Sequence, residues 1–420
     1  MDNKKKFRIT AVCIAALCVV FLVLLVSAAR PMARPAEEPG ESKLEFYQQR
    51  EEAINAFAAV LERFAVAHPE AVIVQNRTAN SLEYLSARIQ RSDMPDLFTH
   101  WPTQLSFQSA TSAGKVVSLA DQEFLSRVNP GALELCREED GAVYALPVNR
   151  NCMEVYYNAD LFKSMGLSAP GTLEEFLGLC ETLKAAGVQP LTLYPRDNRT
   201  AHMAQAMMAA LNGDYLTLLG ELADGTIAEA DRAALLDTLR LMRTLYADYS
   251  DMNAGRTYYE AIENFARGES AMIVTGSYTL SLLRGMEPEF EMDVFAFPGR
   301  DGGRRAILTS IDTALCVSSD CADRELALHF LEFLTRDEII AEYVARDGAP
   351  SCIQGVYHDD PITRKMQTHL SEYENVEWIK SRYSLESCLA FESAICSYLI
   401  SGDEAALLQG LTEAFATKAS

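Results

Sequence analysis

Histidine, cysteine and carboxylate side chains are the groups from which a metal centre or a catalytic site is assembled, and their spacing in this sequence assembles neither. The six histidines stand at 68, 100, 202, 329, 358 and 369. No two are three or four residues apart, as two ligands on one helix face must be. Eight cysteines follow residue 130, at 136, 152, 180, 316, 321, 352, 388 and 396, and none forms a Cys-x-x-Cys pair. Cys152, Cys180 and Cys316 lie in apolar runs and read as buried thiols, although an exported chain could oxidise some of the eight. There is no Gly-x-x-x-x-Gly-Lys phosphate loop, no Gly-x-Gly-x-x-Gly and no Gly-x-Ser-x-Gly nucleophile elbow. Asp359 and Asp360 could serve a glycosidase, but among 59 acidic residues such neighbours arise by chance and mark a solvated face. The expectation is therefore no catalytic group, no metal and no cofactor.

The rest of the composition narrows the class. At 420 residues, with 49% hydrophobic and 23% charged residues, the chain has room for two or three folded units with globular cores. A net charge of −22 repels phosphate backbones and argues against nucleic acid as a partner. Lys4, Lys5, Lys6 and Arg8 precede an apolar run from Ile9 to Ala29, which reads as an export signal or an uncleaved anchor. A helix of that length reaches roughly 30 Å, enough to cross a bilayer, and Val26-Ser27-Ala28 also offers the small residues a signal peptidase reads. Segment 1–29 carries a net +3, so the acidity belongs to the remainder, at −25. Residues 30–42, with Pro31, Pro35 and Pro39, cannot bury apolar surface and read as a tether.

Beyond the tether the pattern alternates. Lys43 to Gln48 reads as a strand, Ile54 to Ala65 as a helix stopped at His68-Pro69, and Ala71 to Val74 as a second strand, a unit whose strands pair in parallel. A helix at Leu82 to Ile89 precedes a third strand near Met94 to Phe98. Thr172-Leu173-Glu174-Glu175 fits a capping box opening a helix from Leu173 to Ala186 that Gly187 ends. Residues 202–246 are helical, with Met203, Met207 and Met208 as core filler. Ala271 to Thr275, Glu291 to Phe297 and Leu308 to Val317 read as strands and Arg324 to Leu334 as an amphipathic helix. No internal repeat appears. The class is α/β, with parallel sheets split between two lobes.

Six segments then occur in an ordered series: Pro95-Asp96-Leu97-Phe98, Asp140 to Pro147 (DGAVYALP), Val155 to Phe162 (VYYNADLF), Pro170 to Phe176 (PGTLEEF), Phe265 to Met272 (FARGESAM) with Gly276-Ser277-Tyr278, and Ala327 to Leu334 (ALHFLEFL). This series resembles the extracellular solute-binding proteins of sugar-importing ABC transporters, the family that includes maltose-binding protein, over roughly residues 43–355. The resemblance implies a two-lobed periplasmic-binding-protein-like fold of type II with a hinge between the lobes. Its segments are expected at 43–148 and 309–355 for one lobe and 149–308 and 356–420 for the other. The crossings are expected near Pro147 to Glu154, near Thr309 to Thr313 and after Gly355.

The resemblance also implies a function: an extracytoplasmic monomer, attached by its anchor or secreted, that holds a carbohydrate ligand in the cleft and delivers it to ABC transporter permease subunits. A sugar offers hydroxyls around a ring with an apolar C–H face, so its site needs aromatic planes and a few fixed polar groups where strands end. The candidates are Trp101, one of two tryptophans; Tyr278, where the family often stacks a tryptophan; Asn149, Arg150 and Asn151 in the first crossing; Asp312 in the second; Tyr194, Arg196 and Asn198 after a strand end; and Trp378. Arg150 has an interlobe salt bridge as its alternative role. A binding protein coupled to a sensor kinase, a secreted carbohydrate-active enzyme and a structural surface protein are the rival readings. An iron or polyamine ligand stays open, although Tyr156-Tyr157 and Tyr258-Tyr259 point to opposite faces if extended.

Overall fold

The computed structural model describes residues 42–416 except 79, 80, 139, 140, 302 and 357. The export segment, nearly all of the tether and Asp140 lie outside the described residues. Among the described residues nine strands organise the fold: β1 (Ser42–Tyr47), β2 (Ala71–Asn76), β3 (Leu97–His100), β4 (Leu146–Asn158), β5 (Leu191–Thr192), β6 (Met272–Gly276), β7 (Met292–Phe295), β8 (Ala306–Val317) and β9 (Glu374–Val376). Among the described residues no helix is long and apolar enough to cross a membrane.

β1 pairs with β2 and β3 in parallel, as a strand–helix–strand unit requires, with the helix Ile54–Ala67 as its crossover. The sheets are not wholly parallel, however, and this corrects the sequence expectation. β8 runs antiparallel to β3 and to β4, and β4 runs antiparallel to β6 and β7. The reason is the topology: β4 carries the chain out of one core and β8 brings it back, so the two must point in opposite directions.

Their length makes this possible. β4 has 13 residues and β8 has 12, about twice the usual strand. Residues 146–152 of β4 pair with 309–315 of β8, whereas the next stretch of β4 pairs with β6 and β7. One hydrophobic core draws on residues 44–148 and 311–353. A second draws on residues 153–308 and 376–415, and a third cluster covers the opposite face of the second sheet with Tyr156, Ile273, Phe265 and Met366. Tyr156 and Tyr157 lie in different clusters because strand neighbours alternate faces. Tyr258 and Tyr259 open a helix instead of extending, with ring centroids 5.2 Å apart.

Local signals hold where they are strong. Thr172 and Glu175 form the reciprocal capping box of the helix Leu173–Ala185, and Gly187 follows it at φ +77°. Asp360 caps the helix Pro361–Glu372, accepting from the Thr363 amide at 2.8 Å, and pairs with Arg284, which gives that carboxylate a structural role. Met203, Met207 and Met208 are buried in the second core. All eight cysteines of the described part are free thiols, six of them buried.

Phe176 is fully buried against Phe297, with ring centroids 5.1 Å apart. Phe176→Ala should therefore lower the unfolding free energy by about 3–5 kcal/mol, seen as a lower urea midpoint with an unchanged slope. Val66→Ala, at a side chain 85% exposed, should change it by less than about 0.5 kcal/mol.

Candidate functional site

A cavity of about 420 Å³ opens between the two main cores. Its walls come from strand ends. Gln49, Arg50, Glu51 and Glu52 follow β1, Arg77, Ser81 and Glu83 follow β2, and Trp101 follows β3. From the other side Arg199 and His202 follow β5, Tyr278 follows β6, and Trp378 and Lys380 follow β9. Asn151 of β4 and Asp312 of β8 lie on the crossing strands themselves.

Side-chain alternation along β4 decides which crossing residue does what. Asn151 faces the cavity. Its amide donates to Ser310 Oγ at 3.1 Å and Asp312 Oδ1 at 3.3 Å, while its carbonyl oxygen accepts from the Ser310 amide at 2.9 Å and from Trp378 Nε1 at 3.0 Å. The Trp378 indole is thus pinned to the first crossing. Arg150 points the other way, where its guanidinium donates to Thr309 Oγ1 at 3.2 Å and Asn375 Oδ1 at 3.4 Å. Among the described residues it makes no salt bridge, and it does not line the cavity. Asn149 is fully buried and donates to Asp347.

Beneath the cavity lies a charged cluster. Arg50 Nη1 sits 3.1 Å from Asp312 and 2.9 Å from Asp347 and donates to Thr313 Oγ1 at 2.7 Å. Burial works against the Arg50 charge, but the two aspartates outweigh it and hold the guanidinium's pKa above its usual range. Burial pushes the Asp347 carboxyl up to about 6 against the pull of Arg50.

The aromatic wall has its own constraints. Tyr278 shares a 3.0 Å hydrogen bond with His202 Nδ1. A Cβ on Gly276 would stand 2.1 Å from the Tyr278 ring, so the glycine of the Gly-Ser-Tyr triplet is what lets that ring fold back over the backbone. His202 also meets Trp378 edge-on at 4.8 Å. The ammonium of Lys380 lies 5.2 Å from the Trp101 ring centroid and 5.2 Å from that of Trp378. Burial lowers the pKa of Lys380, with Asp312 acting in the opposite sense.

Five of the ten sequence candidates, Trp101, Asn151, Tyr278, Asp312 and Trp378, therefore meet at one cavity. The other five do not. Besides Asn149 and Arg150, Tyr194 is a core residue whose hydroxyl donates to the Val274 carbonyl at 3.4 Å and whose ring packs on Tyr258. Arg196 and Asn198 sit exposed on the turn before the helix Thr200–Asn212, and it is the next residue, Arg199, that reaches the cavity. Gln49 to Glu52 escaped the sequence reading although they directly follow a strand, the signal that could have found them. Nothing in the sequence marks Lys380.

The family model of bacterial extracellular solute-binding proteins matches residues 59–368. The chain belongs to that family. Multiple sugar-binding protein of Streptococcus mutans serotype c is 25% identical over 409 residues, 94% of each chain. SBP RafE in complex with raffinose superposes on this solute-binding protein with a TM-score of 0.79 at 24% identity, covering 89% of this chain and 98% of that one. The apo-form of RafE from Streptococcus pneumoniae gives 0.73 at 23% identity, over 91% and 99%. A chitin oligosaccharide binding protein gives 0.76 at 22% identity, over 89% and 98%. The two-lobed α/β fold is thereby shown.

His202 supplies a test of the electrostatics in this solute-binding protein. Burial first, then Lys380 and Arg199, push its pKa from 6.5 down to about 3. As pH falls through 6.5 the unfolded chain takes up a proton that the folded chain refuses, so stability present above that pH is lost on the way to 3. At pH 5 the loss is about 2 kcal/mol. His202→Gln should remove that share of the acid sensitivity, measured as the difference in urea stability between pH 7 and pH 5. Identical pH slopes in the two proteins would contradict the assignment.

Proposed function

We propose that this solute-binding protein holds a carbohydrate, an oligosaccharide, between its two lobes and delivers it to the permease of an ABC importer. It works outside the cytoplasmic membrane as a monomer, attached or released through segment 1–29, and carries out no chemistry on the sugar.

The observation that carries the reading is the pair of indoles. Trp101 belongs to the lobe built on β1 to β3 and Trp378 to the lobe that contains β9, and both face the same cavity. A pyranose has an apolar C–H face to lay on such a plane and hydroxyls around its edge. Asp312, Arg199 and Gln49 provide donors and acceptors at the cavity wall. A ligand gripped from both lobes is worth more to the approximated arrangement than to a separated one, and that difference drives hinge closure. The S. mutans relative named for several sugars, together with the raffinose complex, supports the ligand class.

The test is thermal unfolding of the full chain in detergent against a panel of neutral and acidic mono- and oligosaccharides. A ligand at 100 times its dissociation constant adds about 2.7 kcal/mol, a shift of several degrees. Trp101→Ala and Tyr278→Ala should abolish the shift. Gly276→Ala should reduce it, because the added methyl displaces the Tyr278 ring. No shift with any sugar would overturn the reading.

A further inference from the structure

Four cations line the cavity, and three have their counter-ions. Arg50 has Asp312 and Asp347, Arg77 has Glu51 at 3.3 Å, and Arg199 has Asp197 at 3.6 Å. Lys380 has no carboxylate within ion-pair distance among the described residues; its close neighbours are the two indole faces. Glu51, Glu52 and Glu83 all belong to the opposite lobe, after β1 and β2. On its own lobe Lys380 is accompanied by Arg199 and His202. Asp312, the acid that the cavity floor does offer, is already engaged by Arg50 and Asn151. Glu392 also acts on the Lys380 charge, but it is not part of the cavity wall.

A partly buried ammonium with no carboxylate in direct contact gains a charge-assisted hydrogen bond when one comes to meet it. The space around Lys380 Nζ is bounded by flat aromatic surfaces, which accept the C–H face of a sugar ring while a substituent on the ring edge reaches the ammonium.

We propose that Lys380 determines ligand specificity by reserving the slot between Trp101 and Trp378 for a sugar unit that carries a carboxylate. The inference rests on the carbohydrate-binding reading above and deepens it by naming the substrate class. The carboxylate displaces the aromatic faces as the partner of Lys380, and the sugar ring takes over the contact with one or both indoles.

Binding of two matched pairs to the full chain in detergent, by isothermal titration calorimetry, tests it: digalacturonate against galactobiose, and sialyllactose against lactose. The first pair places the carboxylate on a hexuronate ring and the second on a sialic acid. In at least one pair the acidic member should bind at least about 10-fold more tightly. Lys380→Met should erase that preference, and Lys380→Arg should keep it. The wild-type ratio is decisive even if a variant fails to fold. An acidic preference smaller than about 10-fold in both pairs would overturn the role of Lys380 and leave the carbohydrate reading standing. No binding of any of the four would overturn the role of Lys380 alone if a neutral sugar of the thermal panel shifts the transition and no acidic one does, and with a flat panel it would overturn both readings.

Discussion

A guanidinium almost wholly removed from water holds this molecule together at the place where its two halves meet. Arg50 leaves the end of β1 and reaches Asp312 and Thr313 on β8 and Asp347 at the end of the helix Asp337–Asp347, which in turn accepts from Asn149 on β4. Each of these ions costs several kcal/mol to desolvate and is tolerable only because the others are present. Removing Arg50 would strand two carboxylates. The cluster therefore fixes the register of the crossing strands against the first lobe, and Asp312, one of its members, is at the same time part of the cavity floor.

From that anchor the cavity follows by strand geometry. β4 and β8 lie side by side from Asn149–Thr313 to Cys152–Thr309, and the segment Ala349 to Cys352 runs along the other side of β4 through the Arg150 amide to Pro350 carbonyl bond at 2.9 Å and the Cys352 amide to Val148 carbonyl bond at 2.8 Å. Few segments join two separate cores, which is the arrangement a hinge needs. Residues after the strand ends of both lobes then project into the gap, and Asn151 ties Trp378 to the crossing strand. The aromatic surface of one lobe is in this way indexed to the hinge itself.

The fold was largely legible in the sequence because its signals are local. The Thr172–Glu175 capping box, the His68-Pro69 stop and the alternation of β1 and β2 depend on residues a few positions apart, and the ordered series of six segments supplied the long-range frame. The antiparallel course of β4 and β8 was not legible, since periodicity sets which face a strand buries and says nothing about its direction. The site was half legible for the same reason. Trp101, Tyr278 and Trp378 stand out as large aromatics, but the exchange of Arg196 for Arg199 turns on the course of one turn. The isolation of Lys380 depends on which lobe each acidic residue falls in, and only the folded chain shows that.

Closure on a ligand changes the separation between the two lobes. Spin labels introduced at Glu62, exposed on the helix Ile54–Ala67, and at Thr244, exposed on the helix Glu229–Tyr249, report that separation by pulsed electron resonance. Saturation with the sugar that most raises the melting temperature should shorten the mean distance and narrow its distribution, and Trp101→Ala should leave both unchanged. A sugar that binds and stabilises the chain while the distance stays the same would rule out closure of the lobes on the ligand.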